Sequence, residues 1–169
     1  MVERRPAVTS LPAARPGLSF AAPLLDIVQI SARRDGVPTG LDLPPPGRST
    51  VSGGLTALWV QPRGWLILAA PMGEGVLAAR LNQSGLSVVD QSHGRCVVEI
   101  AGDQARVLLG RLCRIDLHPA AFLPGSVAVT PVADMPCVLH HASADRFALV
   151  VFSTYAGSLV HALGQASPA

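Results

Sequence analysis

Five histidines, three cysteines and one Asp-Ser-His cluster are the residues of this 169-residue chain whose types could do chemistry. His93, His118, His140, His141 and His161 could hold a metal or move a proton, but their spacing fits neither role. A zinc helix needs histidines at i and i+4 around a glutamate, and a structural zinc needs cysteine pairs two to four residues apart. Asp90, Ser92 and His93 have the residue types of a nucleophile, base and orienter. Neighbours in one turn cannot form that chain of contacts, so they read as a turn whose Asp and Ser bond local backbone. Cys96 and Cys137 fall in apolar strands and Cys113 on an apolar helical stripe beside Arg111 and Arg114, where free thiols act as small hydrophobes. Gly73-Glu74-Gly75 and Gly53-Gly54 match neither the dinucleotide fingerprint nor the Walker pattern. No catalytic, cofactor-binding or metal-binding residue is therefore assigned to the chain itself.

These residues need elements to position them. Residues 1–25 are rich in proline and alanine and read as an extended arm, followed by a single domain over 26–169. Its first strand is Asp26 to Ala32, and a long Pro/Gly-rich loop covers 36–54, including Pro44-Pro45-Pro46. Thr56–Gln61 and Trp65–Ala70 flank Gln61-Pro62-Arg63-Gly64, which predicts a hairpin with a type I turn and a buried tryptophan on each strand. A helix is predicted from Gly73 to Ser84, stopped by Gly85. Leu86–Gln91 and the alternating run from Arg95 predict a second hairpin around Ser92-His93-Gly94. Ala105, Leu108, Leu109, Leu112 and Cys113 then mark one face of a helix starting at Gly102-Asp103. After an irregular stretch from Ile115 to Gly125 come strands at Val127–Ala133, Cys137–His141 and Phe147–Phe152. A last helix, capped by Ser153 or Thr154, ends at Gly164. The expected class is α+β: a mostly antiparallel sheet of hairpins with about three amphipathic helices packed on it.

Composition narrows the function classes. Hydrophobic residues make up 49% and charged residues 14%, too apolar for a disordered chain. The 13 basic residues are all arginine and are scattered, which gives no nucleic-acid footprint. Three cysteines in no paired motif fit a reducing compartment. The first 15 residues lack the apolar core of a signal peptide, and the longest apolar run, Trp65 to Met72, is far short of the roughly 20 residues that span a bilayer. A cytoplasmic protein without membrane contact is expected. So much apolar surface on a small chain points to burial against other proteins.

Two segments carry a resemblance. One is Val89-Asp90-Gln91-Ser92-His93-Gly94-Arg95, followed by Gly102, Ala105 and Leu108-Leu109. The other is Cys113-Arg114-Ile115-Asp116-Leu117-His118-Pro119, with Phe122 and Pro124-Gly125. Over about residues 55–165, including Ala57-Leu58-Trp59 and Trp65-Leu66-Ile67-Leu68, the sequence resembles the gamma subunit of heterotetrameric sarcosine oxidase. The turn Gln61-Pro62-Arg63-Gly64 departs from that family's pattern, and the residues before 55 are left unmatched.

The resemblance implies a fold similar to the first domains of the glycine-cleavage T-protein. It also implies a noncatalytic subunit of an oxidoreductase complex with alpha, beta and delta chains. That complex oxidises sarcosine to glycine and hydrogen peroxide and passes the one-carbon unit to tetrahydrofolate. FAD, FMN, NAD and tetrahydrofolate would be held by the partner subunits and none by this chain. Asp90, Gln91, Ser92, His93 and Gly94, with Asp116, Leu117, His118 and Pro119, are then structural or interface motifs. Asp116 is expected to cap the turn that follows it, while Pro119 excludes helix at His118. Two other functions compete with this one: a free-standing T-protein-like module that binds folate, and an independent Cys/His enzyme.

Overall fold

The alternating apolar runs become two antiparallel five-stranded sheets in the computed structural model, which describes residues 6–33, 39–82 and 85–167. The chain's contacts gather into two compact units, Met1–Pro23 with Gly94–Ala169, and Leu24–His93. The sequence reads as one domain from residue 26; here each sheet buries its own apolar face under its own helices.

The unit Leu24–His93 holds β2 (Asp26–Ala32), β3 (Ser49–Ser52), β4 (Leu55–Gln61), β5 (Gly64–Ala69), α1 (Val76–Leu81) and β6 (Leu86–Asp90). Its strand order is β3-β4-β5-β2-β6. Val28, Ile30, Ala57, Ile67 and Ala69 pack with Leu77 and Leu81 of α1. The predicted hairpin forms as β4 and β5, with Trp59 opposite Trp65. Both tryptophans are half-buried, not buried, and the Trp65 indole N–H donates to the Pro44 carbonyl at 2.9 Å. Gln61 pairs with Gly64, so Pro62 and Arg63 alone make the turn; Arg63 has φ 59, the left-handed third position of a type II turn and not the predicted type I.

The expected loop over 36–54 is also more ordered than its composition implies, although residues 36–38 lie outside the described residues. β3 forms within it, and Trp59 N donates to the Arg48 carbonyl at 3.1 Å. The free edge of β4 needs backbone partners, and these residues supply them. The first helix is shorter than predicted: Gly75, with φ 71, is still left-handed, so α1 begins at Val76, and Ser84 lies outside the described residues.

The other unit holds β1 (Ser19–Ala21), β7 (Arg95–Ala101), α2 (Ala105–Gly110), β8 (Val127–Val132), β9 (Met135–Ser143) and β10 (Arg146–Phe152). A 3-10 turn at Ser153–Tyr155 leads into α3 (Ala156–Ala166). The strand order is β1-β7-β10-β9-β8. Val98, Ile100, Leu139, Leu149 and Val151 are buried with Leu108 and Leu109 of α2 and Leu159 and Leu163 of α3. Of the expected arm, residues 1–5 lie outside the described residues. Its later part is not a free extension: β1 pairs with β7, Phe20 opposite Ile100, and Leu18 enters the core.

Two helix starts differ from expectation. Gly102 has φ 120 and gives its N–H to the Asp145 carbonyl, so α2 begins only at Ala105. Neither Ser153 nor Thr154 is the N-cap of α3: both lie in the 3-10 turn, Tyr155 takes the N-cap position, and the helix runs past Gly164 to Ala166.

The predicted second hairpin does not form. β6 pairs with β2, while β7 pairs with β1 and β10 in the other sheet. The turn residues are tied to different strands: Gln91 N and the Ser92 hydroxyl bond Ile27, whereas Gly94 O accepts from Ser153 N. Fold class is α+β, mostly antiparallel, with three α-helices among the described residues.

Candidate functional site

The first motif is built on β2. Asp90 Oδ1 accepts the Ser92 N–H at 2.8 Å, the local Asx bond its spacing predicts. The buried Ser92 hydroxyl accepts from Ile27 N at 2.9 Å and donates to Ile27 O at 3.3 Å, standing in for a missing strand partner. Gln91 N donates to the same Ile27 carbonyl at 2.8 Å. His93 and Gly94 are exposed, and the chain passes from one unit to the other between them. With its hydroxyl spent on backbone, Ser92 is a fastening and not a nucleophile.

The second motif follows α2 and is held from below. Asp116 Oδ1 accepts the His118 N–H at 2.8 Å, and the His118 ring Nδ1 accepts from Ala120 N at 3.2 Å. The His118 carbonyl takes the N–H groups of both Ala121 and Phe122, closing the turn after Pro119. Leu117 is buried, while Asp116, His118 and Pro119 are exposed. His118 thus accepts a local bond at the surface.

Two residues outside the motifs hold this segment. Arg106 of α2 donates from Nη1 to the carbonyls of Leu117 and Phe122. His141, at 1% exposure, lies parallel to the Phe147 ring with centroids 4.4 Å apart, and to Phe122 at 6.0 Å. Its Nδ1 reaches Phe122 O at 2.9 Å and its Nε2 lies 3.4 Å from Arg106 Nη2. The Phe122 carbonyl can only accept, so Nδ1 carries a proton, while Nε2 faces both the Arg106 guanidinium and, at 3.3 Å, the Ala144 carbonyl. Backbone bonds extend the hold, Gly125 N to His141 O and His141 N to Ser126 O. Sequence reasoning missed both residues. His141 was legible by alternation, since it shares a strand face with Cys137 and Leu139.

Burial decides the chemistry of the remaining candidates. His140 is pushed down to about 4, first by desolvation and then by His141. All three cysteines are raised, chiefly by desolvation. Cys96 and Cys137 flank Val151 on adjacent strands, and Cys113 donates to the Leu109 carbonyl at 3.2 Å. A thiol kept protonated is a poor nucleophile. His161 is exposed on α3. No cluster of three or more His, Cys, Asp or Glu that could hold a metal occurs among the described residues, and no described helix is long and apolar enough to cross a membrane. The arrangement fastens backbone and brings no reacting groups together.

The model of the sarcosine oxidase, gamma subunit family matches residues 31–169. The chain belongs to this family. The match begins well before residue 55, so the Pro-rich loop is part of the family's common region. Among gamma-subunit relatives, "Sarcosine oxidase subunit gamma" of Arthrobacter sp is 36% identical over 89 residues, covering 51% of this chain and 43% of the relative. The same subunit of Corynebacterium sp. (strain P-1) is 30% identical over 136 residues, covering 78% and 66%. The chain thus spans about half to two thirds of these relatives' length.

Solved structures agree on the fold. The heterotetrameric sarcosine oxidase from Corynebacterium sp. U-96, in complex with pyrrole 2-carboxylate, contains a chain that matches with a TM-score of 0.79 and 22% identity, covering 92% of this chain and 86% of that one. Aminomethyltransferase T of the glycine cleavage system from Bartonella henselae matches with a TM-score of 0.63 and 14% identity, covering 89% and 46%. This gamma-subunit family member therefore shares its fold with that sarcosine oxidase chain and with about half of aminomethyltransferase T, as its motifs implied.

Proposed function

We propose that this chain is a noncatalytic gamma subunit of a cytoplasmic heterotetrameric sarcosine oxidase, assembled with alpha, beta and delta chains. The complex oxidatively demethylates sarcosine to glycine, reduces oxygen to hydrogen peroxide and passes the one-carbon unit to tetrahydrofolate. The observation that carries this reading is the family match across 31–169, joined to the likeness over 92% of the chain to a protein of a heterotetramer. The site geometry supports it: Ser92, Asp116, His118, His141 and Arg106 each spend a polar atom on backbone, and burial raises the pKa of all three thiols.

The flavins, NAD and tetrahydrofolate belong in this reading to the other chains. Gly73 and Gly75 lead into a helix of only six residues, which favours placing the phosphate-bearing cofactors on the other chains. The likeness to aminomethyltransferase T favours a free-standing folate module as the second reading. One cavity among the described residues, lined by Leu41, Leu55, Ile67, Arg80 and Leu81, holds about 250 Å³. That is less than the roughly 300–1,000 Å³ usual for such ligands.

The test is co-expression. Together with the alpha, beta and delta chains, the chain elutes in one complex, and alone it self-associates and carries no flavin absorbance. A chain that stays monomeric beside those partners at micromolar concentration, or that binds tetrahydrofolate tightly alone, overturns the reading.

A further inference from the structure

Arg95 opens β7 directly after the first motif, opposite Phe152 at the end of β10. Its guanidinium carbon stands 4.2 Å from the centre of the Phe152 ring, a cation held against an aromatic face. The side chain is half-buried, and its Nε is fully buried without a hydrogen-bond partner. Among the described residues no carboxylate pairs with it; the one charged-group influence on it besides desolvation is the Cys137 thiol. Desolvation pushes its pKa down, so the chain by itself holds this cation at a cost.

The surroundings are open on one side. Phe152 is 39% exposed, and Tyr155, three residues on, is 38% exposed. Ser153 N donates to Gly94 O, which fixes the end of β10 beside the start of β7. An arginine laid on an exposed aromatic ring, with unused donors and a tyrosine near in sequence, has the composition of an interface anchor. Arg146 at the other end of the same strand pair makes the contrast: it is 55% exposed in its side chain and reaches Glu99 at 3.5 Å.

We propose that the Arg95 guanidinium, held over the Phe152 ring, is the anchor for an Asp or Glu carboxylate presented by a neighbouring subunit. The inference rests on the subunit reading above. The planar fork suits a carboxylate with two parallel bonds, and the half-desolvated setting makes that bond stronger than a surface pair. The ring fixes the fork, so little rotamer freedom is lost on docking.

The experiment measures two quantities on the full chain carrying Arg95→Met or Phe152→Leu. One is affinity for the co-purified alpha, beta and delta chains, and the other is urea unfolding of the chain alone at submicromolar concentration. Arg95→Met is expected to weaken assembly about 10- to 100-fold, to flatten its salt dependence, and to leave unfolding unchanged or shifted to higher urea. Phe152→Leu should weaken assembly less, with the salt dependence kept. Equal assembly of Arg95→Met and wild type overturns the proposal. So does weaker assembly matched by an equal loss of stability, since Arg95 would then be holding only its own chain. If the wild-type chain fails to bind the partner chains at all, the subunit reading falls and this inference with it.

Discussion

Arg106 and His141 grip the same atom: Arg106 Nη1 and His141 Nδ1 both bond the Phe122 carbonyl, at 3.4 and 2.9 Å, while Nη2 and Nε2 stand 3.4 Å apart. One residue comes from α2 and the other from β9, so this carbonyl fastens the 116–125 segment to two elements at once. Without His141 the Phe122 carbonyl keeps only the 3.4 Å bond to Arg106, and without Arg106 the Leu117 carbonyl loses that donor. We expect His141→Ala to cost about 2–4 kcal/mol, because it also empties the space between two rings. Arg106→Ala should cost about 2 kcal/mol. A double-mutant cycle in urea unfolding checks the link, and additive losses would mean that the two act independently.

His140 sets an acid limit. Its pKa falls from 6.5 in the open chain to about 4 when folded. Above pH 6.5 both states are neutral there and the fold keeps its full stability. As the pH drops from about 6.5 to 4 the unfolded chain takes up a proton that the folded chain refuses. Stability then declines by about 3 kcal/mol and levels off below. His140→Gln should flatten that window in unfolding measured from pH 7.5 to 4; an unchanged slope would assign the acid sensitivity to other groups.

Gly102 marks where the early segment meets the helix. A Cβ at this position would stand 2.1 Å from the Gly17 carbonyl oxygen, and φ 120 disfavours any side chain. That carbonyl also accepts the Gln104 N–H at 3.0 Å. Gly102→Ala should cost about 3 kcal/mol or more. Hydrogen exchange at Ser19–Ala21 should accelerate beyond that of β9, and uniform acceleration would show that the strand is not released separately.

His118 offers a milder test. It is exposed, and its ring takes one surface bond from Ala120 N. His118→Ala is expected to cost less than about 1 kcal/mol in the isolated chain. In the assembled complex, turnover per flavin should stay within about threefold of wild type. A hundredfold fall with assembly intact would make this histidine a participant in the chemistry.

The sequence by itself determined what depends on neighbours along the chain. Short apolar runs marked β2, β4, β5, β8, β9 and β10, and alternation marked β7, because strand side chains point to opposite faces in turn. The Asx bonds of Asp90 and Asp116 span two residues, so spacing alone implied them. Only the tertiary structure decided which strands pair. Leu86–Asp90 and Arg95–Ala101 look like a hairpin locally, yet Ile27, far back in sequence, takes the Ser92 hydroxyl and draws β6 onto β2. Arg106 lay off the apolar stripe and His141 was one histidine of five. Their common grip on Phe122 exists only because the fold brings α2, β9 and the intervening loop together around one buried carbonyl that has to be bonded.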